Sequence, residues 1–315
     1  MTMATISRIR RNIVFRGMRF LYYKSRVVVF GIFSQIINFW YGNTAGWNAN
    51  YGAWKELTQL RQVFKNSYGD KFSTECEHRD ELKDKGFILL KQAIDQSSIS
   101  AVSKHVKTIF SSKGLYGTSP NGASLHIFEP EKDESFKQLL TPQIKGIIES
   151  YYGCAFRVNT VRVWRNNHVP GADNNRHDVF SNTFHHDNSK VTGLKVFILL
   201  VDGVTKETGA LRFHDSKTST SIVRNFGYFH RFMLTKSMVK RMTDPKSLKY
   251  FEGNAGDCAI INTQQCLHAA SIPKLGSYRD ILQFEIYPNQ GSLRSNDFIF
   301  SQVPEDHEIN TLRAI

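Results

Sequence analysis

The feature that most constrains this chain is a change of texture near residue 150. From there onward, short apolar runs alternate with Gly, Asn and Asp turns. Candidate strands are Ala155–Trp164, Gly193–Val201, Gly209–His214, Asp257–Ile261 and Arg279–Tyr287, with turns at Asp202-Gly203 and Glu207-Thr208-Gly209. Many short strands with polar turns point to a sandwich or jelly roll. The expected fold class is therefore mainly β with flanking helices.

Upstream the period changes. Trp54, Leu57, Leu60 and Phe64 recur at spacings of three and four, which is helical. Gly86-Phe87-Ile88-Leu89-Leu90 reads as a short strand. Asp95 is placed to cap a helix whose apolar positions are Ile99, Val102, Val106 and Ile109. The chain divides into a basic, partly apolar arm (1–55), a helical part packing on the barrel (56–150), the β-rich core (151–295) and a tail (296–315).

Charge is unevenly spread. The net charge is +13, yet the first 55 residues hold eight Lys or Arg and no Asp or Glu, leaving only +5 for the rest. A basic body would have pointed to nucleic acid; a basic arm points to a surface contact or a targeting signal, so no nucleic acid partner is expected. Residues 27–41 form an apolar run too short to span a bilayer. Three readings of the arm stay open: a helix packed on the core, an interfacial membrane contact, and an organelle targeting peptide. Cys76, Cys154, Cys258 and Cys266 are scattered without a C-x-x-C pair, which disfavours a disulfide framework and a structural zinc site. A reducing compartment follows, so the expected location is cytoplasmic or at a membrane surface, with organelle targeting left open.

The chemistry concentrates in Phe184-His185-His186-Asp187-Asn188, just before the strongest strand. Residues two apart on a strand share a face, so His185 and Asp187 can converge on one point. Joined by a distant His, they would make the two-His-one-carboxylate set that binds ferrous iron on one octahedral face. An H-x-D alone is weak: with 11 His and 15 Asp in the chain, chance gives about half an occurrence. His78-Arg79-Asp80 is a second one, in a charged segment that reads as a solvated helix. Neither a Gly-rich phosphate loop nor a D-F-G accompanies it, which removes a kinase reading. Downstream, His268 precedes Arg279 by eleven residues, and Arg279 opens a strand from which a guanidinium can hold a carboxylate with two parallel bonds. The blander readings are a structural His268 and a rim salt-bridge role for Arg279, with Lys274 as the alternative anion anchor. His186 is expected to point away from the metal. Cys266 is either a thiolate ligand or a small buried residue.

In these fragments the chain resembles the phytanoyl-CoA dioxygenase family of Fe(II)/2-oxoglutarate-dependent oxygenases, over about residues 84–288. The carriers are DKGFILLKQAI, FHHDNSK, LKVFILLVDGVTKETGALRFHDSK and GNAGDCAIINTQQCLHAASIPKLGSYRDILQFEIYP, in the family's order. The resemblance implies a double-stranded β-helix (a jelly roll, cupin-like), with His185, Asp187 and His268 as iron ligands and Arg279 on the distal carboxylate of 2-oxoglutarate. It implies hydroxylation of an unactivated C–H bond in a small-molecule or lipid-like substrate, with 2-oxoglutarate and O2 consumed and succinate and CO2 released. Ala270 stands where the family often has a hydroxyl, and His214-Asp215-Ser216-Lys217 replaces its G-S-H-K-like loop. Asp187 stands where related halogenases have a small residue, which favours hydroxylation. The competing classes are an inactive jelly-roll binding protein and a cupin-like metal enzyme that uses no 2-oxoglutarate. Arg157, Arg162, Arg165, Arg176, Lys190 and Lys195 outnumber nearby acids, which reads either as a solvated basic face or as the mark of an anionic substrate, with Lys195 pointing into the barrel mouth.

Overall fold

The computed structural model describes residues 44–72, 76–112, 114–119, 122–170, 181–187, 191–226 and 244–289. The arm up to residue 43, Asp173, Arg176, Asp178, Lys190 and the tail from 296 lie outside them, so the three readings of the arm find no structural counterpart here.

Helix α1 (Thr44–Tyr68) runs through position 55 and buries Leu57, Leu60 and Phe64 on one face. Burying each such side chain stabilises the fold by about 1.5–3 kcal/mol relative to exposure. The charged helix α2 (Glu77–Lys85) ends at Gly86, whose φ of 79° releases the chain directly into strand β1 (Phe87–Leu90). A Cβ at Gly86 would also lie 2.7 Å from Cys266 Sγ, so the position needs glycine on two counts. Asp95 caps helix α3 (Gln96–Ser111) by accepting from the Ser98 amide, and Ile99, Val102, Val106 and Ile109 are buried as the spacing predicts. Helix α4 (Pro142–Tyr152) ends in Tyr152, which is fully buried with its hydroxyl 2.7 Å from the Thr192 carbonyl.

These helices cover one face of a seven-stranded antiparallel sheet in the order β1-β8-β5-β10-β4-β3-β2. Its remaining strands are β2 (Tyr116–Thr118), β3 (Ser124–Ile127), β4 (Phe156–Asn167), β5 (Leu194–Leu199), β8 (Cys258–Ile261) and β10 (Tyr278–Pro288). A second sheet, β7-β6-β9, is built from β6 (Leu211–Phe213), β7 (Lys249–Phe251) and β9 (His268–Ala270). After β6, helix α5 (Ser216–Phe226) lies between the two sheet segments in sequence. Each strand expected beyond residue 150 is present, with ends shifted by a few residues. Three further strands of the large sheet come from residues before 150. Two of these, β2 and β3, lack the continuous apolar run that marks β1.

Alternation assigns the two faces of the large sheet. Val161, Val163, Val196, Ile198, Leu282 and Phe284 pack under the helices. Their strand neighbours Phe197, Leu199 and Ile281 point the other way, into a core shared with Leu211, Phe213 and Phe251 of the small sheet. The Phe87 and Phe213 rings meet across this space at 4.7 Å. Among the described residues, no helix is long and apolar enough to cross a membrane.

Candidate metal centre

His185 and His268 sit directly opposite each other. Each donates its backbone N–H to the other's carbonyl, at 3.0 and 3.1 Å, in an isolated antiparallel bridge. Asp187 continues the same extended segment, its N–H reaching the Thr263 carbonyl at 3.2 Å. The expected convergence of His185 and Asp187 therefore holds, although the segment is a bridge rather than a full strand. The imidazoles lie 4.4 Å apart, and Asp187 stands 3.8 Å from His185 Nε2 and 3.6 Å from His268 Nε2. One donor atom from each of His185, Asp187 and His268 falls within 4.8 Å of the others.

The surrounding backbone sets the tautomers. His185 Nδ1 lies 2.8 Å from the Thr183 carbonyl, and His268 Nδ1 lies 3.1 Å from the Cys266 carbonyl. A carbonyl only accepts, so both Nδ1 atoms carry the proton and both Nε2 lone pairs face Asp187. Burial pushes His268 well below the ordinary imidazole range, which keeps it a neutral donor. Burial opposes ionisation of Asp187. The charges of His268 and Lys195, with hydrogen bonds from Lys195 and Thr263, outweigh it and hold the carboxyl below its usual range. With His268 neutral, the cation acting at neutral pH is Lys195, whose Nζ lies 2.7 Å from Asp187 Oδ2. Two imidazole Nε2 atoms and one carboxylate on one side of a point fit a ferrous ion and leave the opposite face open.

Arg279 lies on the inner parity of β10, beside Ile281. It is 2% exposed, and its Nε and Nη1 have no hydrogen-bond partner among the described residues. Burial alone lowers its pKa to about 10, so it stays cationic at neutral pH. A buried guanidinium without a counter-ion costs several kcal/mol, on the order expected for one uncompensated ion. Its neighbour Asp280 faces the other way and pairs with Arg165 at 2.6 and 2.7 Å, which removes the rim salt-bridge reading of Arg279. Lys274, the alternative anchor, is exposed in the turn before β10.

The fold as a whole has a likeness among solved structures. The apo form of EctD from S. alaskensis superposes over 69% of this chain and 78% of its own, with a TM-score of 0.50 and 11% identity. The fold is a double-stranded β-helix. Two further similar structures are the non-haem α-ketoglutarate-dependent epimerase SnoN from nogalamycin biosynthesis and HygX from Streptomyces hygroscopicus. SnoN aligns over 67% of this chain and 81% of its own at 14% identity and TM-score 0.49. HygX, with nickel, 2-oxoglutarate and hygromycin B bound, aligns over 69% and 88% at 11% identity and TM-score 0.48. No protein-family model and no curated protein sequence matches the chain.

The remaining candidates separate cleanly. His78 and Asp80 lie on α2, a charged helix, with Asp80 taken by Arg79. Cys266 precedes β9, is fully buried and directs its thiol to the Lys85 carbonyl; burial raises its pKa, so the thiolate reading is set aside. His186 is partly exposed and stands outside the triad. His214 is buried 3.2 Å from Ser247 Oγ, and Asp215 caps α5 by accepting from the Thr218 amide, so that loop serves the fold. Ala270 shares the inward face of β9 with His268 and supplies no hydroxyl. Lys195 does point inward, but toward Asp187 rather than an open mouth. Two inward polar residues went unrecognised in the sequence, Asn166 and Gln283. Both are almost fully buried, with Asn166 Oδ1 and Gln283 Nε2 unpartnered among the described residues. The available signal was their parity, since each shares a strand face with Trp164 or Ile281.

Proposed function

We propose that this chain is an Fe(II)/2-oxoglutarate-dependent dioxygenase that hydroxylates an unactivated C–H bond of a small-molecule or lipid-like substrate, within the phytanoyl-CoA dioxygenase-like group. The observation that carries the reading is Arg279, a buried cation with two unpartnered N–H donors inside the barrel that holds the His185–Asp187–His268 cluster. A dicarboxylate whose keto-acid end chelates the ion and whose far end reaches Arg279 satisfies both at once. A cupin-like metal enzyme without 2-oxoglutarate leaves Arg279 uncompensated, and an inactive binding protein leaves the triad's ordered tautomers without a purpose.

His185, Asp187 and His268 would hold iron, which supplies the oxygen activation when bound. The protein's own contribution is positional. Nδ1–H bonds to carbonyls fix the imidazoles, and Lys195 holds one oxygen of Asp187. EctD, which shares the fold, has also been solved with 2-oxoglutarate and 5-hydroxyectoine. The likeness establishes architecture, and the chemistry here rests on residues of this chain.

The test is anaerobic addition of Fe(II) and 2-oxoglutarate to the metal-free protein. A visible charge-transfer band from the chelate is expected. His268→Ala should lose the band, and Arg279→Ala should lose tight 2-oxoglutarate binding. Iron binding that 2-oxoglutarate does not perturb would sink the reading.

A further inference from the structure

The inner face of the large sheet carries a second set of unsatisfied donors, apart from Arg279. Gln283 lies on β10 between two cross-strand neighbours, Phe197 of β5 and Arg162 of β4. It is 3% exposed, and its Nε2 has no partner among the described residues. An amide N–H2 sealed from water without an acceptor is destabilising, so its retention asks for a ligand. Its neighbour Arg162 shares the inward face with Trp164, is exposed, and makes no ion pair or side-chain hydrogen bond among the described residues.

Two of the other cations nearby are paired. Arg165 holds Asp280, and Lys195 holds Asp187. Glu285, the acid on this face, accepts from Tyr287 and Thr160. His126, whose ring lies 6.5 Å from Trp164, is pushed toward its neutral form by burial and then by the Arg162 charge, which places that charge beside the inner face. Apart from Arg279, Arg162 and Gln283 remain as an unpaired guanidinium and an unpartnered amide among the described residues, on paired residues whose Cα atoms stand about 5 Å apart. Lys195 is the diagonal neighbour of Gln283, at about 7–8 Å between backbones. The pair therefore shares the inner face of the sheet with Lys195, whose Nζ reaches Asp187.

We propose that Arg162 and Gln283 form an anion subsite for the primary substrate, which carries a carboxylate or phosphate group close to the carbon presented to the metal. Arg162 supplies the charge and a bidentate fork; Gln283 supplies one further N–H to the same group. Arg279 remains the partner of 2-oxoglutarate, so the two anions occupy separate donors. This inference rests on the oxygenase reading only for what the anchored substrate would undergo. The anion subsite itself is a property of the sheet.

The probes are hexanoate, hexyl phosphate and 1-hexanol, titrated by calorimetry into full-length protein, both metal-free and loaded anaerobically with Fe(II) and saturating 2-oxoglutarate. At least one of the two anions should bind at least tenfold more tightly than hexanol. The tighter of the two identifies carboxylate or phosphate as the anchored group. Arg162→Glu should abolish the preference and Arg162→Lys should keep part of it. Gln283→Leu should weaken the anion several-fold without affecting hexanol, and near-UV circular dichroism reports whether each variant keeps its packing. Equal binding of all three probes overturns the proposal, as does an anion preference that survives in folded Arg162→Glu. Failure of the Fe(II)·2-oxoglutarate band in wild type overturns the oxygenase reading alone, since the metal-free titration still scores the subsite.

Discussion

Lys195 Nζ lies 2.7 Å from Asp187 Oδ2, so the carboxylate offered to the metal is already engaged by a cation. Both side chains are largely buried, at 13% and 19% exposure. Removing Lys195 leaves a buried carboxylate uncompensated, which costs far more than losing a surface pair. Lys195→Met should destabilise the metal-free protein by about 2 kcal/mol. Excess Mn(II) should restore most of this, because the ion replaces the lost charge. The acid limb should change too. The folded pKa of Asp187 is depressed, so the group contributes stability above the ordinary carboxylate range that is lost as pH falls below it. Lys195→Met should flatten that limb. Thermal melts with and without Mn(II), from pH 7 to pH 3, check both points; identical melts for the two proteins would remove the coupling.

Arg279 predicts the opposite sign. A fully buried cation with unpartnered Nε and Nη1 destabilises the ligand-free protein. Arg279→Met keeps the volume and removes the charge. It should raise the stability of the metal-free protein by about 1–3 kcal/mol. It should also abolish the rise in melting temperature that 2-oxoglutarate gives the wild type in the presence of Mn(II). Stability exchanged for ligand binding is the mark of a site residue. A variant less stable than wild type would mean that Arg279 has a structural partner.

The architecture was legible because strand periodicity and helix spacing act locally. Leu57, Leu60 and Phe64 announce one helical face, and Ile281 and Leu282 announce the two faces of β10. The triad was legible in type but not in geometry: nothing local says that His185 and His268 form a backbone-bonded pair. The inward direction of Lys195 follows from strand parity, whereas its pairing with Asp187 joins β5 to a separate extended segment and has no local signal. Asn166 and Gln283 escaped notice because a polar residue on a strand looks solvent-facing until both sheets are in place. Strands β2 and β3 escaped because Tyr-Gly-Thr and Ser-Leu-His-Ile lack the continuous apolar run that marks β1.

The two faces of β10 can be separated by mutation. Asp280 is the neighbour of Arg279 but lies under the helices, where Arg165 grips it with two bonds and stacks 4.0 Å from the Tyr278 ring centre. Asp280→Ala should cost about 3 kcal/mol by stranding the half-buried Arg165. It should leave 2-oxoglutarate affinity unchanged, because the strand's inner face is untouched. Chemical denaturation gives the first quantity and the charge-transfer titration the second. A large loss of affinity at full folding would show that the outer pair positions Arg279.

Cys266 is the remaining residue close enough in sequence to His268 to compete for the ion. Its carbonyl accepts from His268 Nδ1, so its backbone already serves the site, while its thiol turns away toward the Lys85 carbonyl. Burial raises the thiol's pKa, and a thiol that does not ionise is a poor ligand. Cys266→Ala should therefore leave Co(II) affinity within about twofold of wild type, with no sulfur-to-cobalt charge-transfer band in either protein. The same change should relieve the contact that forbids a side chain at Gly86, where a Cβ would meet the sulfur at 2.7 Å. Gly86→Ala should be less damaging in the Cys266→Ala background than in wild type, with a residual cost of about 1 kcal/mol from its left-handed backbone. A double-mutant cycle measures that difference, and strict additivity would place the strain of Gly86→Ala in the backbone rather than against the sulfur.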